Sequence, residues 1–171
     1  MTSTLELLVD GFGRVHETVH EVVSGLSLEA LVFRPEPRAN TIGWLVWHLT
    51  RVQDDHVADV AGAEQRWTAE GWDTRFALPF ERAETGYGQS PQDVGDVAVE
   101  PELLLGYHDS VGAATLDYVR GLGDSDLDRV VDTRWDPHVT LGARLVSVLA
   151  DDLQHVGQAA YVRGIFERRK G

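Results

Sequence analysis

The sequence predicts an all-α fold, a four-helix bundle with one long crossover between its second and third helices. Apolar residues recur at spacings of three and four in four separate stretches, which is the period of an amphipathic helix packed on one face. No segment is rich in strand signals. A chain of 171 residues is the size of one domain, so residues 1–171 are expected to form a single up-down-type bundle.

In the first helix Leu5, Leu8, Phe12, Val15, Val19 and Val22 make one stripe, and Gly25 marks its end. The second starts at Asn40 or Thr41, both N-cap types. It carries Ile42, Leu45, Leu49, Val52, His56 and Val60 along one face and stops at Gly62. The third starts near Pro101, a residue suited to a first helical turn, with Leu104, Tyr107, Val111, Ala114, Tyr118 and Leu122 in phase. The fourth runs from Thr140 towards Arg168 through Leu141, Leu145, Val148, Val156, Ala159, Val162 and Phe166. Residues 62–100 break the rhythm with glycines and aromatics. A connection that long in a compact domain is functional, carries short elements or is disordered, and its aromatic content argues for an ordered crossover.

The charge balance narrows the partners. There are 15 Lys and Arg against 28 Asp and Glu, a formal net charge of −13, which argues against nucleic acid or an anionic membrane surface, because both are bound through concentrated cations. The one basic cluster, Arg168-Arg169-Lys170, reads as a helix end or tail. No apolar run reaches the roughly 18 residues needed to span a bilayer. The first residues lack the pattern of a secretory signal, so the expected location is cytoplasmic. Apolar residues at helix edges, Trp47 among them, leave room for a homodimer.

Cysteine is absent, so any metal must be held by His and carboxylate. The string His16-Glu17-Thr18-Val19-His20 matches the H-E-x-x-H pattern of zinc proteases. At 100° per residue, however, His16 lies about 70° and His20 about 110° from the apolar stripe, as boundary or surface residues do. A protease also needs a third ligand and a sheet edge for its substrate, so this reading ranks below the next.

The fourth helix contains Asp151-Asp152-Leu153-Gln154-His155-Val156-Gly157-Gln158. His155 falls within about 45° of the stripe centre, Asp152 near its middle and Asp151 at its edge. Burying such groups is costly unless they are paired or bound to a cation. Asp151 and His155, at i and i+4, suit a hydrogen-bonded pair and a pair of metal ligands equally. On the second helix His48 and His56 are about 12 Å apart along the axis, too far to share one ion. Periodicity favours His56, at the centre of the stripe, where a core histidine bonded to a neighbouring helix is the alternative. His48 lies towards Trp44, and its alternative is an imidazole stacked between Trp44 and Trp47. In the crossover, Trp72, Arg75 and Tyr87 combine flat apolar surface with a cation able to grip a carboxylate, so they are candidates for substrate binding. Simple anchoring of the loop by its aromatics is the alternative.

The stretch Asn40-Thr41-Ile42-Gly43-Trp44-Leu45-Val46-Trp47-His48-Leu49, with His155-Val156-Gly157-Gln158 in the last helix, resembles the DinB/YfiT-like superfamily of metal-dependent four-helix proteins. That superfamily includes actinobacterial mycothiol-dependent enzymes, the maleylpyruvate isomerase and thiol S-transferases. The similarity extends over almost the whole chain in helix order and crossover position. It implies a divalent metal, zinc or nickel, bound by one His of the second helix and an i, i+4 pair of the last, which fall on His48, Asp151 and His155. Many members have His at the place of Asp151, and the mycothiol-dependent isomerase has Glu.

Two imidazoles and one carboxylate leave coordination positions open, as catalytic sites do. Asp152 and Gln158 are candidates to orient the ligands from behind. The expected activity is metal-dependent thiol transfer or isomerisation of a small electrophile, with a low-molecular-weight thiol, mycothiol or a relative, as cosubstrate. The alternatives are a metal-dependent hydrolase that uses no thiol and a non-catalytic binding or stress-associated bundle with a vestigial site. No residue other than the ligands is assigned a catalytic role.

Overall fold

The computed structural model describes residues 3–169, so Lys170 of the basic cluster lies outside the described residues. Four long helices form the bundle, α1 (Thr4–Val23), α3 (Ile42–Ala61), α7 (Pro101–Arg120) and α8 (Leu141–Arg168). The side chains of Ser3, Thr41 and Thr140 accept from the backbone amides of Glu6, Trp44 and Ala143. Each cap satisfies a donor that a helix N-terminus leaves without an intrahelical partner. Gly62 closes α3 in the left-handed conformation, which a residue without Cβ adopts at no steric cost.

The bundle runs up-down-down-up. His48 meets His155 while His56 meets Arg144, so α3 and α8 are antiparallel. Thr50 meets His108, Gln53 meets Thr115 and Val60 meets Tyr118, so α3 and α7 are parallel. Around the bundle the order is α1, α7, α3, α8. Parallel neighbours cannot be joined by a tight turn, because the chain must first return along a helix of about 30 Å. That is the physical reason for the long crossover, which contains three short helices, α4 (Arg66–Ala69), α5 (Trp72–Phe76) and α6 (Pro91–Asp96).

Three elements have no counterpart in the apolar periodicity: the single turn α2 (Leu28–Leu31), a 3-10 helix (Asp124–Asp128) and a small antiparallel hairpin of β1 (Val130–Asp132) and β2 (Val139–Thr140). All are too short to establish a period. Among the described residues no helix is long and apolar enough to cross a membrane.

Helix α3 is the axis of the structure, with every residue from Ile42 to Asp54 buried. One side is covered by the crossover. Trp47 is 1% exposed, packed against Trp67 and Phe80. This corrects the expectation of an exposed edge there, and Trp47 supplies no dimer surface. Arg51 and Asp54 are also buried, as an ion pair with N···O 3.8 Å. Asp54 accepts from the backbone amides of Arg66 and Trp67 and from the Tyr107 hydroxyl. Arg51 donates to Gln65, Tyr107 and the carbonyl of Glu84. The pair therefore ties the start and the end of the crossover to one turn of α3.

Breaking a buried pair by deleting one partner leaves the other charge uncompensated. Asp54→Ala is expected to lower stability by about 3–5 kcal/mol in urea unfolding. On the hairpin, the side chain of Asp132 is held by Arg134 and Arg144, and the hydrogen bonds from Arg134 keep its carboxyl well below the usual range. A depressed carboxylate stabilises the fold above its unfolded-state pKa and loses that contribution as pH falls. The Tm difference between wild type and Asp132→Asn is therefore expected to narrow as the pH drops below about 4.

Candidate metal centre

The antiparallel register of α3 on α8 sets His48 opposite Asp151 and His155. One ligand atom from each of the three lies within 4.8 Å of the others. The imidazoles of His48 and His155 are edge to face, with centroids 4.8 Å apart. His155 Nε2 is 3.5 Å from Asp151 Oδ1. His56, which periodicity favours as a ligand, is two turns further along α3, where its Nδ1 accepts from Arg144 at 2.9 Å.

Both imidazoles have their far nitrogen committed. His48 Nδ1 donates to the carbonyl of Thr85 at 2.5 Å, and His155 Nδ1 donates to Gln158 Oε1 at 3.2 Å. With the proton held on Nδ1, each neutral ring presents the lone pair of Nε2, the form in which imidazole ligates a metal. Burial pushes His48 towards this neutral state, lowering its pKa. The adjacent Asp151 carboxylate raises that of His155. Asp151 Oδ2 is buried without a hydrogen-bond partner among the described residues. Buried carboxylate oxygens are seldom left so, and two imidazoles converging on a carboxylate with one orphaned oxygen fit a divalent cation that accepts mixed nitrogen and oxygen donors.

The ring of His48 is fixed from three sides. Trp44 stacks on it at 4.6 Å and 12°, Tyr87 meets it edge on at 5.4 Å, and Gly86 lies directly over Nδ1. Gly86 has φ +108°, and a Cβ there would sit 2.5 Å from His48 Nδ1, so both the backbone conformation and the space require glycine. Gln89 secures the turn by accepting from Trp44 Nε1 at 2.7 Å. Thr85 and Gln89 have no signal in the sequence, since one acts through its carbonyl and the other through a contact made only by the folded crossover. The Gly86-Tyr87-Gly88 string is the trace that marks the turn.

The remaining expected site residues divide. Gln158 stands behind His155, whereas Asp152 is fully buried with both oxygens unpartnered among the described residues. Burial pushes the Asp152 carboxyl well above its ordinary range. Tyr87 joins the triad and is largely exposed. Trp72 packs on Tyr107 and Gly106 of α7, and Arg75 stacks over Trp72 at 3.6 Å. The structure thus brings Tyr87 and Gln158 to the triad, and it does not bring Trp72 or Arg75 there. Further along the α3–α8 groove a cavity of about 750 Å³ is lined by polar groups that include Asp55, His56, Asp132, Arg134 and Arg144.

Comparison with known proteins identifies a family and a closely similar fold. The model of the DinB superfamily matches residues 12–159. A conserved protein from Enterococcus faecalis, known from its crystal structure, superposes with a TM-score of 0.88 at 28% identity, covering 95% of this chain and 96% of that one. No curated protein matches the chain.

Partners that orient a ligating histidine typically change metal affinity by about 10–100-fold when lost. Gly86→Ala is expected to displace the turn from His48 and to weaken zinc binding by about that factor in competition titrations, with the helical content by circular dichroism unchanged.

Proposed function

The chain belongs to the DinB superfamily, and from that premise we propose that His48, Asp151 and His155 hold one divalent cation, zinc or nickel, in an enzyme that uses a small thiol to transfer to, or isomerise, a small electrophilic molecule. The observation that carries this reading is the pair of imidazoles with Nδ1–H already bonded and Nε2 turned to the triad, His155 Nε2 facing Asp151 Oδ1 at 3.5 Å, beside an orphaned carboxylate oxygen. A cation bound there supplies Lewis acidity, which stabilises an incoming thiol as thiolate at neutral pH.

The protein's own residues perform the rest. Thr85 and Gln158 hold the two rings in the ligating tautomer. The chain has no cysteine, so the sulfur must arrive with a cosubstrate, of the mycothiol type in the reading proposed. Tyr87 stands at the solvent side of the triad as an aromatic wall. Burial and the carboxylates of Asp151 and Asp55 raise its phenol pKa, so at neutral pH it keeps its proton and is able to donate a hydrogen bond to a substrate oxygen. The polar cavity further along the α3–α8 groove, with Arg144 and His56 on its wall, suits the charged end of a small substrate or cosubstrate.

A second reading, hydrolysis with water in place of the thiol, is favoured by the polar lining of that cavity and is recognised by turnover without added thiol. The decisive experiment is elemental analysis of zinc- or nickel-loaded wild type, His48→Ala and His155→Ala, followed by assays of thiol consumption against simple electrophiles. Each variant is expected to lose one equivalent of metal and with it the thiol-dependent turnover. Unchanged metal content in both variants would overturn the assignment.

A further inference from the structure

A second constellation of ligands lies on the opposite pair of helices and shares no residue with the first. His16 and His20, four residues apart on α1, face Asp109 of α7. Their Nε2 atoms lie 2.9 and 2.6 Å from the same oxygen, Asp109 Oδ1, and one ligand atom from each residue falls within 4.8 Å of the others. Around a tetrahedral zinc with donors at about 2.0–2.1 Å, neighbouring donors stand roughly 3.3 Å apart. The nitrogens and the carboxylate are thus already close to the separation that a cation requires, and outward shifts of about 0.4 and 0.7 Å admit one.

Two further observations show that the cluster is held in place. His16 stacks on His108 at 5.6 Å and 20°, and it lies against Gly112, where a Cβ would come within 3.3 Å of His16 Cδ2. His108 is 1% exposed. Its Nδ1 donates to the Thr50 hydroxyl, which in turn donates to the carbonyl of Val46. The proton therefore sits on Nδ1, and His108 Nε2 is a buried acceptor with no partner among the described residues. An orphaned acceptor beside two imidazoles and a carboxylate fits a site that receives a hydrated cation, whose water is the donor this nitrogen lacks.

We infer that His16, His20 and Asp109 form a second divalent-cation site, bridging α1 and α7 and selective for borderline ions such as zinc, nickel or cobalt over magnesium and calcium. The selectivity follows from the two nitrogen donors. The three side chains are each more than a third exposed, so the ion has an entry path and water fills its open positions. The histidines come from the H-E-x-x-H string, but the strands β1 and β2 pack on α8, not beside this site. Nothing here offers a substrate strand an edge, and the inference concerns binding, not proteolysis.

The test uses the tag-free full-length chain and zinc alone, with stoichiometry measured by equilibrium dialysis and elemental analysis. The wild type is expected to bind two equivalents. The His48→Ala/His155→Ala variant is expected to keep one, and to lose it when His16→Ala and His20→Ala are added. Asp109→Asn, nearly isosteric, is expected to weaken that remaining equivalent by more than tenfold, and His20→Gln gives a second milder variant, with circular dichroism confirming the fold of each. Cobalt added to the His48→Ala/His155→Ala variant is expected to give visible absorption that disappears with the α1 histidines.

One equivalent in the wild type, lost only on mutating His48 and His155, would overturn this second site and leave the proposed function standing. One equivalent lost only on mutating His16 and His20 would do the reverse. Zinc content unaffected by the α1 variants would reduce the cluster to a hydrogen-bonded clamp and overturn the inference.

Discussion

The buried pair Arg51–Asp54 is the constraint on which the rest of the structure depends. An isolated ion pair in a core is unfavourable unless its remaining donors and acceptors are satisfied. Here most of them are satisfied, mainly by the crossover: Gln65, the amides of Arg66 and Trp67, and the carbonyl of Glu84, while Arg51 Nη2 has no partner among the described residues. The ion pair therefore fixes the path of a connection that has little regular structure of its own. Because Arg51 grips Glu84, the next carbonyl, that of Thr85, falls on His48 one turn earlier along α3. Trp44, His48 and Arg51 form one ridge of α3, and the turn 84–89 lies along it, bonded at Trp44, His48 and Arg51 in succession. Fold stability and metal geometry are coupled through this ridge.

The two histidine clusters are built on the same economy of means, an i, i+4 spacing on one helix completed by a residue from a neighbouring antiparallel helix, yet their surroundings differ. At the α3–α8 site each ring has a hydrogen-bond partner behind it and His48 is buried, so the lone pair of His48 Nε2 is presented in advance. At the α1–α7 site the nitrogens already bond a shared carboxylate oxygen in a half-exposed setting, where solvent screening weakens the interaction. There both Nε2 atoms bond that carboxylate, whereas at the first site His155 Nε2 faces Asp151 Oδ1 at 3.5 Å and burial favours the neutral form of His48. Preorganisation of this kind separates a site suited to catalysis from one suited to binding.

Much of the fold is legible in residue spacing. Thr41, Gly62, Pro101 and Thr140 mark helix ends because their capping chemistry is local. The stripes of α1 and α8 are largely the ones buried, since a period of 3.6 has few alternatives over 20 residues. The direction of the third helix was not legible in the same way. Up-down-down-up order depends on which faces pack, and α3 has no single apolar face to read. Its buried surface includes His48, Thr50, Arg51, Gln53 and Asp54, polar groups that become tolerable only once their partners on other segments are in place.

The sequence by itself determined that the protein is helical, that its long connection is ordered by aromatics, that any metal must be held without thiolate, and that Asp151 and His155 share one face of the last helix. These are properties of composition and local period. Only the tertiary structure decided that His48 and not His56 meets that pair, because the choice depends on the axial register of α3 against α8. It also decided that Tyr87 rather than Trp72 stands at the triad, because the path of the crossover follows from the Arg51–Asp54 pair. The same reason explains Asp109, invisible as a ligand for the first helix until packing set α7 antiparallel to α1. Contacts between distant segments are chosen by the summed burial of whole faces, which no short stretch of chain encodes.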